Sequence, residues 1–156
     1  IVPCGGGGLA AGIALALPDA RITIVEPGGW DDMTRSLEAS WIEPVGPNPP
    51  PTACDALQTK EVSPLTFEVL ARRDAKGVAV SEEEVAAAQR WAAEYLRLVV
   101  EPGGAVALAA VLAGKAPVEA GMLVILSGGN VDLDAYARAL AGAGGLTSAD
   151  ARSEAV

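Results

Sequence analysis

Histidine is absent from this 156-residue chain. Its absence removes Ser-His and Cys-His dyads, and any histidine-ligated metal centre built from this chain alone. Cysteine is scarce. Cys4 and Cys54 are the only two, too few for a disulfide framework, and a reducing, cytoplasmic setting is the simpler expectation. Aromatic residues make up 4% of the chain against 51% for all hydrophobic types, so the core must be built from Ala, Val and Leu with closely approaching helices. No stretch comes near the roughly 20 apolar residues of a membrane span. Basic residues are outnumbered 11 to 20, for a net charge of −9. A surface of that sign repels nucleic acid and anionic membranes, and neither is expected as a partner.

What the chain has is glycine, most of all in the run Gly5 to Gly8. The run stands between a short apolar stretch, Ile1 to Cys4, and a helical pattern over 8–17 that Pro18 stops. Backbone N–H groups of such a loop can all point one way. With the positive end of a helix behind them they suit a phosphate. No Lys-Ser/Thr follows, so this is no Walker loop, and the spacing misses the dinucleotide fingerprint. Glu26 does end the next strand pattern, which leaves a nucleotide-binding module open. A phosphate monoester fits better.

Strand and helix patterns alternate along the rest of the chain. The β-branched run 21–26 reads as a buried strand and 30–40 as a helix with Asp31 and Asp32 in its first turn. Residues 43–51 hold five prolines and form a surface loop. Ser63-Pro64 starts a helix to about Ala75, and 78–80 is a short strand. Ser81 and Glu84 form a capping box, and Val85, Ala88, Trp91, Ala92, Tyr95 and Val99 then share one helical face. The turn Glu101-Pro102-Gly103-Gly104 leads into an apolar helix over 105–113. A buried strand is predicted over 121–126, followed by Ser127-Gly128-Gly129-Asn130 and a last helix over 133–140 capped by Asp132. The tail 142–156 is rich in Gly, Ala and Ser and is expected to fray. The alternation implies an α/β fold, a mostly parallel sheet with helices on both faces. Ligands of such sheets sit at the carboxyl ends of strands, where Gly5–Gly8 and 127–130 both fall.

Four segments occur in order: Val-Pro-Cys-Gly-Gly-Gly-Gly-Leu-Ala-Ala-Gly-Ile-Ala, Val-Glu-Pro, Val-Glu-Pro-Gly-Gly-Ala-Val-Ala-Leu-Ala-Ala and Leu-Ser-Gly-Gly-Asn-Val-Asp. Together they resemble the C-terminal half of the serine/threonine dehydratases (threonine ammonia-lyases), the family that includes serine racemase. These are fold-type II pyridoxal 5′-phosphate enzymes of the tryptophan synthase β-like class. The likeness runs from Ile1 to about Leu140. It implies that 1–141 is the C-terminal part of a large pyridoxal phosphate-binding domain. Gly5, Gly6, Gly7, Gly8 and the Leu9 amide would hold the cofactor phosphate. Ser127 would meet the pyridine nitrogen, Glu101 would lie close to the ring, and Gly128 would let the backbone approach it. Thr52 to Ala56 falls where relatives have an Ala-Asp-Gly turn. Ala56 replaces that glycine, so Asp55 and Ala56 stand only as neighbours of the cofactor. Cys54 reads as a small buried residue.

Glu26, the Trp30 carbonyl and Asp32 form a separate group of hard oxygen donors, suited to Mg²⁺ or Ca²⁺. The plainer reading of the two aspartates is an acidic first turn favouring the helix dipole. Similar dehydratases carry a divalent ion at the matching positions. The resemblance also implies a Schiff-base lysine, which lies upstream of the glycine loop in that family. Lys60, Lys76 and Lys115 all read as surface charges near helix or loop ends. The expectation is that this chain is the C-terminal portion of a longer enzyme and holds no catalytic residue of its own. That enzyme would be a homodimer dehydrating L-threonine or L-serine to a 2-oxo acid and ammonia. Racemisation of serine and action on hydroxyaspartate stay open, as does an inactive fragment with weak phosphate binding.

Overall fold

The computed structural model describes residues 1–142. In chain order the elements are β1 (Val2–Pro3), α1 (Gly8–Ala16), β2 (Thr23–Pro27), α2 (Asp32–Ala39), α3 (Pro64–Arg72), β3 (Lys76–Val80), α4 (Glu82–Trp91), α5 (Pro102–Leu112) and α6 (Leu133–Ala141). A 3-10 turn lies at Asp55–Leu57 and a π-helical turn at Ala92–Leu96. The predicted tail falls, beyond Gly142, outside the described residues.

The three strands form one parallel sheet in the order β1-β2-β3, with Ile24 opposite both Val2 and Gly77. Successive side chains of a strand point to opposite faces, and β2 shows the consequence. Ile24 joins a core with Ala10, Ala14, Met33 and Leu70 from α1, α2 and α3. Val25 joins the other, with Val85, Ala88, Val106 and Ala109 from α4 and α5. Helices therefore cover both faces, as the alternation of patterns predicts. Helix α5 is buried from Gly103 through Ala110. A helix enclosed on every side must be apolar all round, and small residues let it lie close to the sheet.

Three expectations need correction. The stretch 121–126 is not a strand, although it runs beside β1. Ile1 N donates to Leu123 O at 2.7 Å, and Ile125 N donates to Ile1 O at 3.0 Å, the parallel pattern. The next rung would need an N–H from residue 3, and Pro3 has none. The helical face read from Val85 to Val99 also breaks. The π turn inserts an extra residue, Arg97 turns left-handed at φ 59°, and Tyr95 and Val99 end up exposed. Finally, α3 stops at Arg72 rather than Ala75. Asp74 takes φ 48°, and Lys76 opens β3 instead of closing a helix. Arg73 turns back to the carbonyls of Ala14, Leu17 and Ala20, closing the carboxyl end of α1.

Candidate functional site

The glycine loop leaves the carboxyl end of β1. Cys4 N still pairs with Val25 O at 2.9 Å, after which the chain turns into α1. Gly7 caps that helix with φ 82° and ψ 0°, a conformation that costs an L-residue roughly 1–2 kcal/mol. Among the described residues, no hydrogen bond to oxygen is found from the amides of Gly5, Gly6, Gly7, Gly8 or Leu9; the Gly7 amide is directed at the Cys4 sulfur. Packing accounts for two of the glycines. A Cβ on Gly5 would stand 3.1 Å from Leu57 Cα, and one on Gly7 would stand 2.7 Å from Met33 Cε. Gly8 is different, since a Cβ there meets nothing within 4 Å and its φ is not left-handed.

A second surface interlocks 99–104 with 127–130. Glu101 N donates to Gly128 O at 3.2 Å, Ser127 N to Gly104 O at 3.4 Å, and Asn130 N to the Glu101 carboxylate at 3.0 Å. A Cβ on Gly104 would overlap the Ser127 carbonyl, and one on Gly128 (φ 77°) would overlap the Glu101 carboxylate. Glu101 thus braces the turn that carries Ser127. No partner for the Ser127 hydroxyl is found among the described residues.

The two surfaces emerge together. Ile1 pairs between Leu123 and Ile125 in the parallel sense, so the segment leading to Ser127 sets out beside β1 and in its direction. Gly5 and Gly103 pack on the same short stretch, Ala56–Leu57. That stretch is held from α4, where Glu82 accepts from Thr52 Oγ1 at 2.6 Å and from Ala53 N at 2.9 Å. Asp55 accepts from its neighbour Ala56 N. Cys54 is buried, and burial pushes its thiol up to about 12, which rules it out as a ready nucleophile. A groove of about 440 Å³ opens on the flank of this region between Asp55, Gln89, Asn130 and Tyr136, but the glycine loop does not line it.

Glu26 and Asp32 are both wholly buried. Glu26 lies at the end of β2 and receives Met33 N at 3.1 Å, Thr34 N at 2.8 Å and Thr34 Oγ1 at 2.6 Å. The carboxylate that caps α2 therefore comes from the preceding strand. Burial raises it to about 8 despite those three donors. Asp32 has no well-formed hydrogen bond on either oxygen, and burial pushes it up to about 6, only partly offset by Arg35 and the Val62 amide. Trp30, two residues before Asp32, is buried, its indole donating to Pro50 O at 2.8 Å. An orphaned buried carboxylate is costly unless something positive meets it. Glu26, however, is already engaged by its three donors, and among the described residues no group of three or more His, Cys, Asp or Glu side chains is placed to hold a metal ion.

The lysines stand where the sequence put them, at the surface. Lys76 pairs with Asp74 at 2.7 Å, and Lys115 spans Glu84 and Ala79 O. Lys60 is exposed. Local patterning missed Thr59 and Thr66, whose hydroxyls border the loop, and Met33, whose methyl packs on Gly7. They arrive from far along the chain, and no spacing announces them.

Residues 1–128 match the family described as pyridoxal-phosphate dependent enzyme. The chain belongs to that family. This pyridoxal-phosphate family member is 33% identical to the serine racemase of Dictyostelium discoideum over 147 residues, 90% of this chain and 45% of that protein. It is 35% identical to the L-threonine ammonia-lyase of Thermotoga maritima over 139 residues, 86% of this chain and 34% of that protein. Among solved structures, a threonine deaminase from T.th. matches with TM-score 0.77 at 41% identity, covering 84% of this chain and 49% of that one. Maize serine racemase matches with TM-score 0.75 at 35% identity, covering 86% and 43%. The chain thus spans between a third and a half of the length of these relatives.

Proposed function

We propose that this chain forms part of a pyridoxal-phosphate dependent ammonia-lyase that dehydrates L-threonine or L-serine. The observation that carries the reading is a row of amides, Gly5 to Leu9, with no oxygen acceptor among the described residues, at a helix N-terminus. They leave the same end of the sheet as the unpartnered hydroxyl of Ser127. Amides and the helix dipole suit the phosphate of the cofactor. The open space at Gly8, unexplained by packing, suits the ligand itself. When bound, pyridoxal phosphate supplies an electron sink for the charge developed at Cα.

Every other step belongs to the protein. The loop amides bind and orient the phosphate. Ser127 offers a neutral hydroxyl to the pyridine nitrogen and, unlike a carboxylate, does not keep that nitrogen protonated. The sink is correspondingly weaker. That suits loss of a β-hydroxyl, which relieves charge as it forms. Glu101 holds the Ser127 turn in register. Glu26, the Trp30 carbonyl and Asp32 would be the oxygen donors for Mg²⁺ or Ca²⁺ in a structural or activating role. The lysine that carries the cofactor and moves the Cα proton comes from protein outside this chain, as does the loop for the substrate carboxylate. A homodimer is part of the same reading.

Two measurements test it. Borohydride reduction of the chain with pyridoxal phosphate should place no stoichiometric, specific label on Lys60, Lys76 or Lys115. Such a label would overturn the assignment of the lysine elsewhere. The full-length enzyme should release a 2-oxo acid from L-threonine or L-serine. Racemisation of serine without that release would move the reading to the racemase activity carried in the names of its relatives.

A further inference from the structure

We propose that Thr66, on α3, is a positioning residue that sets the direction of the Gly7 amide; the proposal rests on the phosphate-cradle reading of the loop. Thr66 Oγ1 stands 2.8 Å from Gly6 O and 3.0 Å from Ser63 O. A hydroxyl has one proton to give. The Ser63 carbonyl already receives Phe67 N at 3.0 Å, whereas no other donor to the Gly6 carbonyl is found among the described residues. The proton therefore serves Gly6.

Its effect on the loop follows from peptide geometry. The peptide is planar and trans, so the Gly6 C=O and the Gly7 N–H point in opposite directions. Holding the carbonyl toward α3 turns the Gly7 amide away from it, to the side of the Cys4 sulfur, a weak acceptor that an anion can replace. The same hydroxyl limits Gly7 from its other side. A Cβ there would come within 2.9 Å of Thr66 Oγ1, and Gly7 sits at φ 82°. Four successive glycines otherwise carry the greatest backbone freedom of any residues. An amide that wanders binds an anion less well than one already aimed. Thr66 spends its proton on a carbonyl, so its influence on a bound phosphate passes through the loop.

The test uses the ¹⁵N-labelled chain, with inorganic phosphate as the probe. Thr66→Val keeps the shape and removes the hydroxyl, and Thr66→Ser restores it. The valine variant should show lower amide order parameters at Gly6 and Gly7 in the absence of phosphate. It should also bind phosphate about three- to tenfold more weakly, the worth of one net hydrogen bond. Serine should recover both. Unchanged order parameters and affinity in the valine variant would overturn the proposal. Should circular dichroism show the valine variant unfolded, Thr66→Ala is read by the same criteria. If phosphate moves none of the Gly5–Leu9 amides in the wild type, the cradle reading itself fails. The order parameters then still decide whether Thr66 holds the loop.

Discussion

Asp32 is the residue whose situation is least comfortable. Its carboxylate is buried without a well-formed hydrogen bond on either oxygen, the Val62 amide offering only partial relief, in a chain that already carries an excess of acid. Burial lifts it from an ordinary 3.8 to about 6, and each unit of such a lift is worth roughly 1.4 kcal/mol. Asp32→Asn should therefore stabilise the metal-free chain at pH 7.5 by about 2 kcal/mol, read from urea unfolding in EDTA. Added Mg²⁺ or Ca²⁺ should stabilise the wild type and leave the Asn variant unmoved. A destabilised Asn variant in EDTA would contradict the orphan-charge account. Glu26 gives the same region a pH dependence. It ordinarily titrates near 4.5 and in the fold near 8, so between those values the folded chain keeps a proton that the unfolded chain has lost. Its contribution is fully present below pH 4.5 and fades as pH rises to 8. Unfolding midpoints in EDTA should fall across that window, and a divalent ion should flatten the slope by favouring the ionised forms. Spacing alone brings Glu26, Trp30 and Asp32 to notice as oxygen donors. It does not say that Glu26 also caps α2 through Met33 and Thr34, because a strand end and a helix start must first meet in space.

Local rules read the starts of elements better than their ends. Ser81 accepts from Glu84 N, and Glu84 accepts from Ser81 N at 2.7 Å, the box expected from the sequence. Lys115 adds its ammonium to Glu84 at 2.7 Å, and that carboxyl is held below its usual range even though burial opposes the effect. Ser81→Ala should cost about 1 kcal/mol, measured as a lower urea midpoint with an unchanged denaturant slope. A loss below about 0.3 kcal/mol would mean that the box is redundant with the Lys115 contact. The other end of α4 was not legible. Val85 and Ala88 obey the helical period and are buried, but Tyr95 and Val99, on the same predicted face, are exposed. The reason is the π turn at Ala92–Leu96, which the pattern of apolar residues does not encode. The 121–126 stretch teaches a related lesson. Its apolar run carries the signature of a buried strand, while the missing rung lies on its neighbour, at Pro3.

At the scale of the whole molecule, the candidate site is made where segments far apart in sequence leave one end of a sheet. Each was visible as a glycine-rich turn, and the parallel α/β arrangement follows from alternating patterns. What could not be read was how tightly the turns lock together. Gly104 and Ser127 are the clearest instance. A Cβ on Gly104 would overlap the Ser127 carbonyl, and its neighbour Gly103 packs on Leu57, the residue that also touches Gly5. The offending atom is backbone rather than the end of a flexible side chain, so relief requires the 127–130 turn to move off α5. Such a shift breaks the hydrogen bonds of Ser127 and Glu101 to the opposing segment and displaces the Ser127 hydroxyl. Gly104→Ala should cost about 3 kcal/mol, the upper part of the range for overpacking. For a domain of this size that corresponds to a fall in Tm of roughly 6–12 °C. Gly8→Ala is the control, because its Cβ meets nothing within 4 Å and helix propensity favours alanine by about 1 kcal/mol. Gly8→Ala should leave Tm unchanged or raised while weakening the binding of inorganic phosphate; Gly104→Ala should lower Tm first. If both variants lose phosphate binding only in proportion to lost stability, Gly8 has no part in a cradle and its glycine needs another cause.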